Sequence, residues 1–189
     1  MATLVALYDS CVLYPAPLRD LLVRLAGTGL FRARWTNEIH EEWIRNVLES
    51  RPDLRRERLE RTRDLMNEHI LDSLVTGYET RIPTVVLPDP DDRHVLAAAI
   101  EARADVLVTF NLRHFPVSSL APVNVEALHP DVFVERLLNI DEAVVCSTLR
   151  SQRQDLTKPP KSAEELLDTL QAQGLPRTVA RLRDMIATI

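Results

Sequence analysis

The chain has 189 residues, 46% hydrophobic and 27% charged, the composition of a packed globular protein of one domain or one domain with an appendage. Lys and Arg total 23 against 28 Asp and Glu, a net charge of −5 that argues against wholesale coating of a polyanion but leaves room for nucleic acid held at a confined, metal-dependent site. Four glycines against 12 prolines argue against Gly-rich phosphate loops and flexible linkers. Cys11 and Cys146 lie far apart and suit a reducing cytoplasm better than a disulfide scaffold. No apolar run approaches the roughly 18 residues of a membrane span, and no basic segment precedes the first apolar run, so a cytoplasmic protein without membrane contact is expected.

Leu4-Val5-Ala6-Leu7-Tyr8 is a continuous apolar run, as in a strand buried on both faces, and it ends at Asp9-Ser10. Leu18, Leu21, Leu22 and Leu25 share one face of a helix from about 17 to 26, which Gly27 and Gly29 stop. Phe31, Ala33 and Trp35 alternate with arginines as in a short strand. Thr36 and Asn37 can cap a helix over about 37–49, and Pro52-Asp53 opens another to about Ile70. Residues 71–90 are irregular. Asp91 to Arg103 reads as a helix, Val106 to Phe110 as a second buried strand ending at Asn111, and Val123-Asn124-Val125 as a last short strand. This alternation predicts an α/β fold with a parallel sheet, and from about Pro130 the pattern is wholly helical.

Ligands of open parallel sheets bind beyond the carboxyl ends of the strands. Asp9 and Asn111 stand at two such ends, although each could simply turn or cap the chain. Asp92 is sharper. On a helical wheel Val95, Leu96, Ala99 and Ile100 all fall within about 80° of it, so its carboxylate points into the protein body. A buried carboxylate must be paired, hydrogen-bonded or metal-bound. The bland alternative is a cap on its own helix. In Thr36-Asn37-Glu38-Ile39-His40-Glu41-Glu42-Trp43, Glu41 and Glu42 flank opposite edges of the apolar stripe and Glu38 points further out; periodicity does not choose between Glu41 and Glu42.

Taken together, Leu7-Tyr8-Asp9-Ser10, the Thr36 to Trp43 segment, Pro90-Asp91-Asp92-Arg93-His94-Val95-Leu96-Ala97-Ala98-Ala99 and Leu107-Val108-Thr109-Phe110-Asn111 resemble the four motifs of the PIN-domain nucleases, in particular VapC-like toxins of toxin–antitoxin pairs. The resemblance covers about residues 2–127. It implies a three-layer α/β/α domain with a central parallel sheet over 1–128, followed by a helical C-terminal extension over 129–189. It implies a Mg²⁺- or Mn²⁺-dependent endoribonuclease, with Asp9, Glu42, Asp92 and Asn111 as catalytic residues and metal ligands. It also places the second-motif acid at Glu42, before Trp43. The fourth position, often Asp in the family, is here the neutral Asn111, which weakens the hold on a second ion. An RNA substrate and a cognate antitoxin are the implied partners. Hard divalent cations favour oxygen ligands, and such an ion acidifies the attacking water, so no protein nucleophile is needed.

Arg93 and Arg113 adjoin the proposed site residues and are candidate phosphate contacts. His94 and His114 lack partners at metal-ligand spacing and are expected at the surface or in packing; His40 lies in its helix's apolar stripe as a core histidine. Thr109 could hydrogen-bond the acids. The six arginines of 51–68 are interleaved with acids and read as a solvated, ion-paired helix. The stripe of Val132, Phe133, Leu137 and Leu138 packs on the core by default, with homodimerisation or antitoxin binding as the alternatives. Two rival functions share parts of this pattern. A haloacid-dehalogenase-type phosphatase needs a second Asp two residues after the first, where this chain has Cys11. A non-catalytic PIN-like interaction module is kept open by Asn111.

Overall fold

The computed structural model describes residues 3–189. Strands β1 (Val5–Tyr8), β2 (Arg32–Arg34), β3 (Val106–Val108) and β4 (Glu126–Leu128) form one parallel sheet in the order β2-β1-β3-β4. The chain leaves β1 for a neighbour on one side and later returns on the other. The crevice between β1 and β3 is therefore the topological switch point, where connections diverge and leave strand ends uncovered. Ala6, Leu7 and Tyr8 are fully buried and Val106, Leu107 and Val108 nearly so, as continuous apolar runs require. Trp35 extends the β2 edge, its N–H donating to the Ser73 carbonyl at 3.0 Å and its carbonyl accepting from Val75 at 2.9 Å.

The helices are α1 (Ser10–Leu13), α2 (Ala16–Gly27), α3 (Asn37–Ser50), α4 (Arg56–His69), α5 (Arg93–Glu101), α6 (Val117–Leu120), α7 (Pro130–Ile140), α8 (Glu142–Asp155), α9 (Ala163–Ala172) and α10 (Pro176–Arg183). The chain forms two compact units. One takes the chain up to Tyr14 together with Phe31–His129; the other takes Pro15–Leu30 together with Pro130–Ile189.

In the sheet-bearing unit, Thr36 caps α3, its hydroxyl accepting from Ile39 N–H at 3.0 Å. α3 buries Ile39, His40, Trp43 and Ile44. His40 is the core histidine its position implied. Its Nδ1 accepts from Trp43 Nε1 at 2.9 Å, so Nε2 carries the proton and meets Asn67 Oδ1 at 3.1 Å. The same Asn67 oxygen accepts from Trp35 Nε1 at 2.8 Å, tying α4 to the end of β2. The arginines of α4 are ion-paired as expected, Arg56 reaching Glu60 at 3.4 Å and Glu41 at 2.9 Å.

Two expectations require correction. The final strand is Glu126–Leu128 rather than Val123–Val125. Pro122 lies in a 3₁₀ turn, Asn124 closes it at φ +56, and Val125 N–H donates back to Leu120, so sheet pairing starts one residue later. The helix expected from Asp91 begins as a 3₁₀ turn over Pro90–Asp92 and becomes α-helical only at Arg93. Pro90 starts that turn, and Asp89 Oδ1 accepts from Asp91 N–H at 3.0 Å.

In the other unit, α2 packs against α8 and α9, and α10 against α7 and α9. Leu18, Leu21, Leu22 and Leu25 share this core with Phe133, Leu137, Leu149, Leu167 and Leu170. Ser162 and Glu165 form the reciprocal capping box legible in the sequence. Asp131 is 3% exposed, and its two oxygens accept from the Arg177 and Thr178 amides at 2.9 and 2.8 Å. It thereby caps α10 from α7, since Leu175 offers no capping side chain. Asp131→Ala leaves the buried Thr178 amide and the part-buried Arg177 amide without their acceptor, and urea unfolding of the variant is expected to show a loss of about 2 kcal/mol; an unchanged midpoint would remove Asp131 as the cap.

Candidate active site

Asp9 lies at the carboxyl end of β1 and is 3% exposed. Its amide donates to Val108, and its Oδ1 caps α1 by accepting from Ser10 N–H at 2.6 Å. Oδ2 accepts from the Thr109 hydroxyl at 2.6 Å and the Cys11 thiol at 3.2 Å. Thr109 Oγ1 in turn accepts from Asn111 N–H at 3.0 Å, and Cys11 Sγ accepts from Phe110 N–H at 3.3 Å. The loop after β3 is thus fastened to the carboxylate after β1. Burial, then the charge of Asp9, push the Cys11 thiol far above the ordinary cysteine range, which leaves it a hydrogen-bonding partner rather than a nucleophile.

Asp92 stands at the start of α5 but makes no side-chain cap. Its Oδ2 instead lies 2.6 Å from His114 Nδ1, which is also 3.8 Å from Asp89 Oδ2. Burial is the largest influence on Asp92 and raises its pKa; the His114 contact pulls the other way, while the charges of Asp9 and Asp89 raise it further. The charge of Asp9 therefore reaches Asp92 at the start of α5.

The pair left open by periodicity separates clearly. Glu41 faces outward, 2.9 Å from Arg56 and 3.7 Å from Arg63. Glu42 turns inward, and its Oε1 lies 2.9 Å from His94 Nε2. His94 is 5% exposed, which selects packing over the surface of the two positions expected for it. α5 is covered on a second face by the 3₁₀ segment Glu79–Thr84, so its wheel has no free side on which to leave a histidine. Glu38 closes the group: its Oε2 accepts from Tyr78 Oη at 3.1 Å and lies 3.5 Å from His94 Nδ1. His114 likewise belongs to the site through Asp92 rather than to the surface.

The structure thus gathers Asp9, Asp92, Glu42 and the Asn111 backbone around the ends of β1 and β3. It does not bring the Asp9, Glu42 and Asp92 oxygens to mutual ligand spacing. Among the described residues, the group of three whose donor atoms all lie within 4.8 Å of one another is Asp89, Asp92 and His114. The reason is visible in the contacts, since Glu42 is taken up by His94 and Asp92 by His114. Two carboxylates and an imidazole at this spacing are a donor set that suits a divalent cation. The Arg93 Nε is buried with no hydrogen-bond partner, and Arg113 is exposed, its Nε 3.3 Å from His114 Nε2. Asp89 and the two histidines were missed in the sequence because their relevance depends on partners 22 to 56 positions away.

His94 supplies a pH test. Burial alone would lower its pKa, but the Glu42 hydrogen bond and the charges of Glu42, Glu38 and Asp9 outweigh burial and raise it. A histidine with a raised folded pKa contributes stability that is complete below its unfolded value and is lost as pH rises through the folded one. Without divalent cations, unfolding free energy is expected to fall as pH rises from about 6.5, and His94→Gln should flatten that slope in urea titrations. An identical slope in the variant would sink the assignment.

A family model for the PIN domain matches residues 5–113, and one for the VapC50 C-terminal domain matches residues 130–184. The protein named "Putative ribonuclease VapC50" from Mycobacterium tuberculosis (strain ATCC 25618 / H37Rv) is 41% identical over 92 residues, which cover 49% of this chain and 54% of that protein. The matched region thus spans about half the length of this curated relative. No solved structure matches the chain significantly. Among the described residues, no helix is long and apolar enough to cross a membrane. With 109 of its 189 residues matched by the PIN-domain model, this α/β chain belongs to the PIN-domain family and is VapC-like.

Proposed function

We propose that this chain is an endoribonuclease that hydrolyses RNA phosphodiester bonds with Mg²⁺ or Mn²⁺, and that it is the toxin of a toxin–antitoxin pair acting in the cytoplasm. The observation that carries the reading is the position of the buried Asp9 at the carboxyl end of β1, at the switch point of a PIN-family sheet, fastened there by Ser10, Thr109 and Cys11. The relative's name, a ribonuclease, supports the same reaction. The nuclease domain is read as residues 1–128 and the extension as 129–189, with a cognate antitoxin and a second copy of the chain as protein partners.

In this reading Asp9, Glu42, Asp92 and Asn111 form the catalytic set and would hold the cation, Asp92 doing so together with Asp89 and His114, whose donor atoms lie within 4.8 Å of one another. A divalent ion bound there supplies charge neutralisation and Lewis acidity for attack of water on phosphorus. The protein's own part is positional. Asp9 cannot rotate away, because both of its oxygens are engaged by Ser10, Thr109 and Cys11. His94 holds Glu42 at the wall and His114 holds Asp92. Arg93, next to Asp92, and the exposed Arg113, two residues after Asn111, are the candidate donors for phosphate oxygens of the RNA backbone. Hydrolysis forms one phosphorus–oxygen bond to water and breaks one to the leaving oxygen, and a carboxylate accepts the water's proton.

The test is cleavage of mixed cellular RNA by the purified protein with Mg²⁺ or Mn²⁺, beside EDTA and folded Asp9→Asn and Asp92→Asn variants. Both variants are expected to lose more than about a hundredfold in rate. Variants that cut as well as the parent would show that the activity or the site is misassigned. A parent that raises no cuts and whose melting temperature ignores Mn²⁺ would support an interaction module instead.

A further inference from the structure

The carboxyl edge of the sheet carries a carboxylate after β1 and aromatic rings after β3 and β4. The register pairs Val108 with Leu128, and Thr109 N–H donates to the Leu128 carbonyl at 2.9 Å, so Phe110 and His129 emerge from neighbouring strand ends. Their rings meet edge to face, with centroids 5.0 Å apart and an interplanar angle of 74°. Phe110 is also tied to the carboxylate. Its N–H donates to Cys11 Sγ at 3.3 Å, and that sulfur lies 3.2 Å from Asp9 Oδ2. On either side of it, the Thr109 hydroxyl donates to Asp9 and accepts from Asn111 N–H. β3 is the direct neighbour of β1, one strand spacing of about 4.8 Å away.

Exposure sets this pair apart. The chain has four phenylalanines and two tryptophans. Trp35, Trp43, Phe31, Phe115 and Phe133 are at most 2% exposed. Phe110 is the exception: it keeps part of its surface, and so does His129. A phenyl ring left partly in water forgoes some of the stabilisation that burial gives the others. The same loop carries the exposed Arg113, whose Nε lies 3.3 Å from His114 Nε2, while His114 Nδ1 is 2.6 Å from Asp92 Oδ2. A cation thus stands beside the carboxylates and an aromatic pair stands on the adjoining strand ends. A phosphate with a base attached matches that combination, the phosphate by charge and the base by its π-face.

We propose that Phe110 and His129 form a platform on which one unpaired base of the RNA substrate stacks, next to the phosphate being cut. The proposal rests on the nuclease reading and adds to it an aromatic subsite. A base stacks on a side chain only when it is free of its own helix, so the platform selects single strands and loops over duplex RNA. Stacking of one base on an aromatic ring accounts for roughly ten- to hundredfold in binding. Because every base has a π-face, the platform sets the register of the strand more than its sequence.

The experiment uses the full chain carrying Asp92→Asn, which stops cutting under the nuclease reading and leaves intact the Asp9 network that holds Phe110. Short fluorescent single-stranded RNAs are read by anisotropy. Phe110→Leu keeps an apolar side chain but removes the π-face, and is expected to weaken binding at least about tenfold. Phe110→Trp is expected to bind at least as well as the parent. Trp35 and Trp43 are fully buried, so unlabelled RNA should quench the emission of the introduced indole and leave that of the parent unchanged. A purely structural role for Phe110 would weaken both variants and give no quenching. Equal binding by the leucine variant overturns the platform, and so does binding without quenching. A Phe110→Leu effect that appears as a changed molecular mass in light scattering also overturns it, since the ring would then be a contact between copies. Cleavage by the chain with its native Asp92 is followed in parallel, and there Phe110→Leu should raise KM by the same factor. Cuts with an unchanged KM leave the nuclease standing and remove the platform, whereas neither cuts nor RNA binding remove both.

Discussion

A carboxylate that is 3% exposed at the end of a central strand can stay only if the chain around it supplies donors. Asp9 meets that condition with the Ser10 amide, the Thr109 hydroxyl and the Cys11 thiol. Each donor also fixes something else. The Ser10 amide starts α1, the Thr109 hydroxyl brings the loop after β3 onto the end of β1, and Cys11 takes up the Phe110 amide. Asn111 and the turn that carries His114 follow within three residues. The geometry of the site is thus largely the geometry by which one buried charge is satisfied.

The remaining carboxylates are managed by imidazoles. His94 lies between Glu38 and Glu42, and His114 between Asp89 and Asp92. Four acids close to a fifth would be costly without partners, and the two imidazoles lie within contact of all four. A cation added to this site meets carboxylates that already have partners. Its affinity is therefore measured against imidazole–carboxylate contacts, not against bare repelling acids.

Much of the arrangement was legible in the residues themselves. Continuous apolar runs ending at Asp9 and Asn111 predicted buried strands with polar carboxyl ends, and the wheel around Asp92 predicted a carboxylate directed into the protein. Order along the chain, in turn, carried the family resemblance. The histidines were not legible, because periodicity registers one buried face and α5 has two. Glu42 could not be told from Glu41 by pattern alone, since both flank the stripe and only the positions of Arg56 and His94 separate them. α2 was legible as an amphipathic helix, but a leucine stripe says that a face is covered and not by what; its partners α8 and α9 lie more than 110 residues on. The strand assigned to Val123–Val125 slipped because β-branched residues flank an asparagine that the chain needs in the left-handed region.

The strand order also governs when this protein can become a finished object. β1 is made first but sits inside the sheet, and the neighbour that completes it, β3, arrives about a hundred residues later; the Thr109–Asp9 bond spans 100 positions. Closing so long a loop precedes any reward from the contacts it permits, which makes this pairing a late and slow event. A ribosome that has released only the first hundred residues therefore displays β1, β2 and α3 without the turn that locks Asp9 in place. The crevice is assembled only when β3 joins β1, and a chain truncated before β3 lacks both the Thr109 hydroxyl that fastens Asp9 and the Asn111 and His114 that follow it.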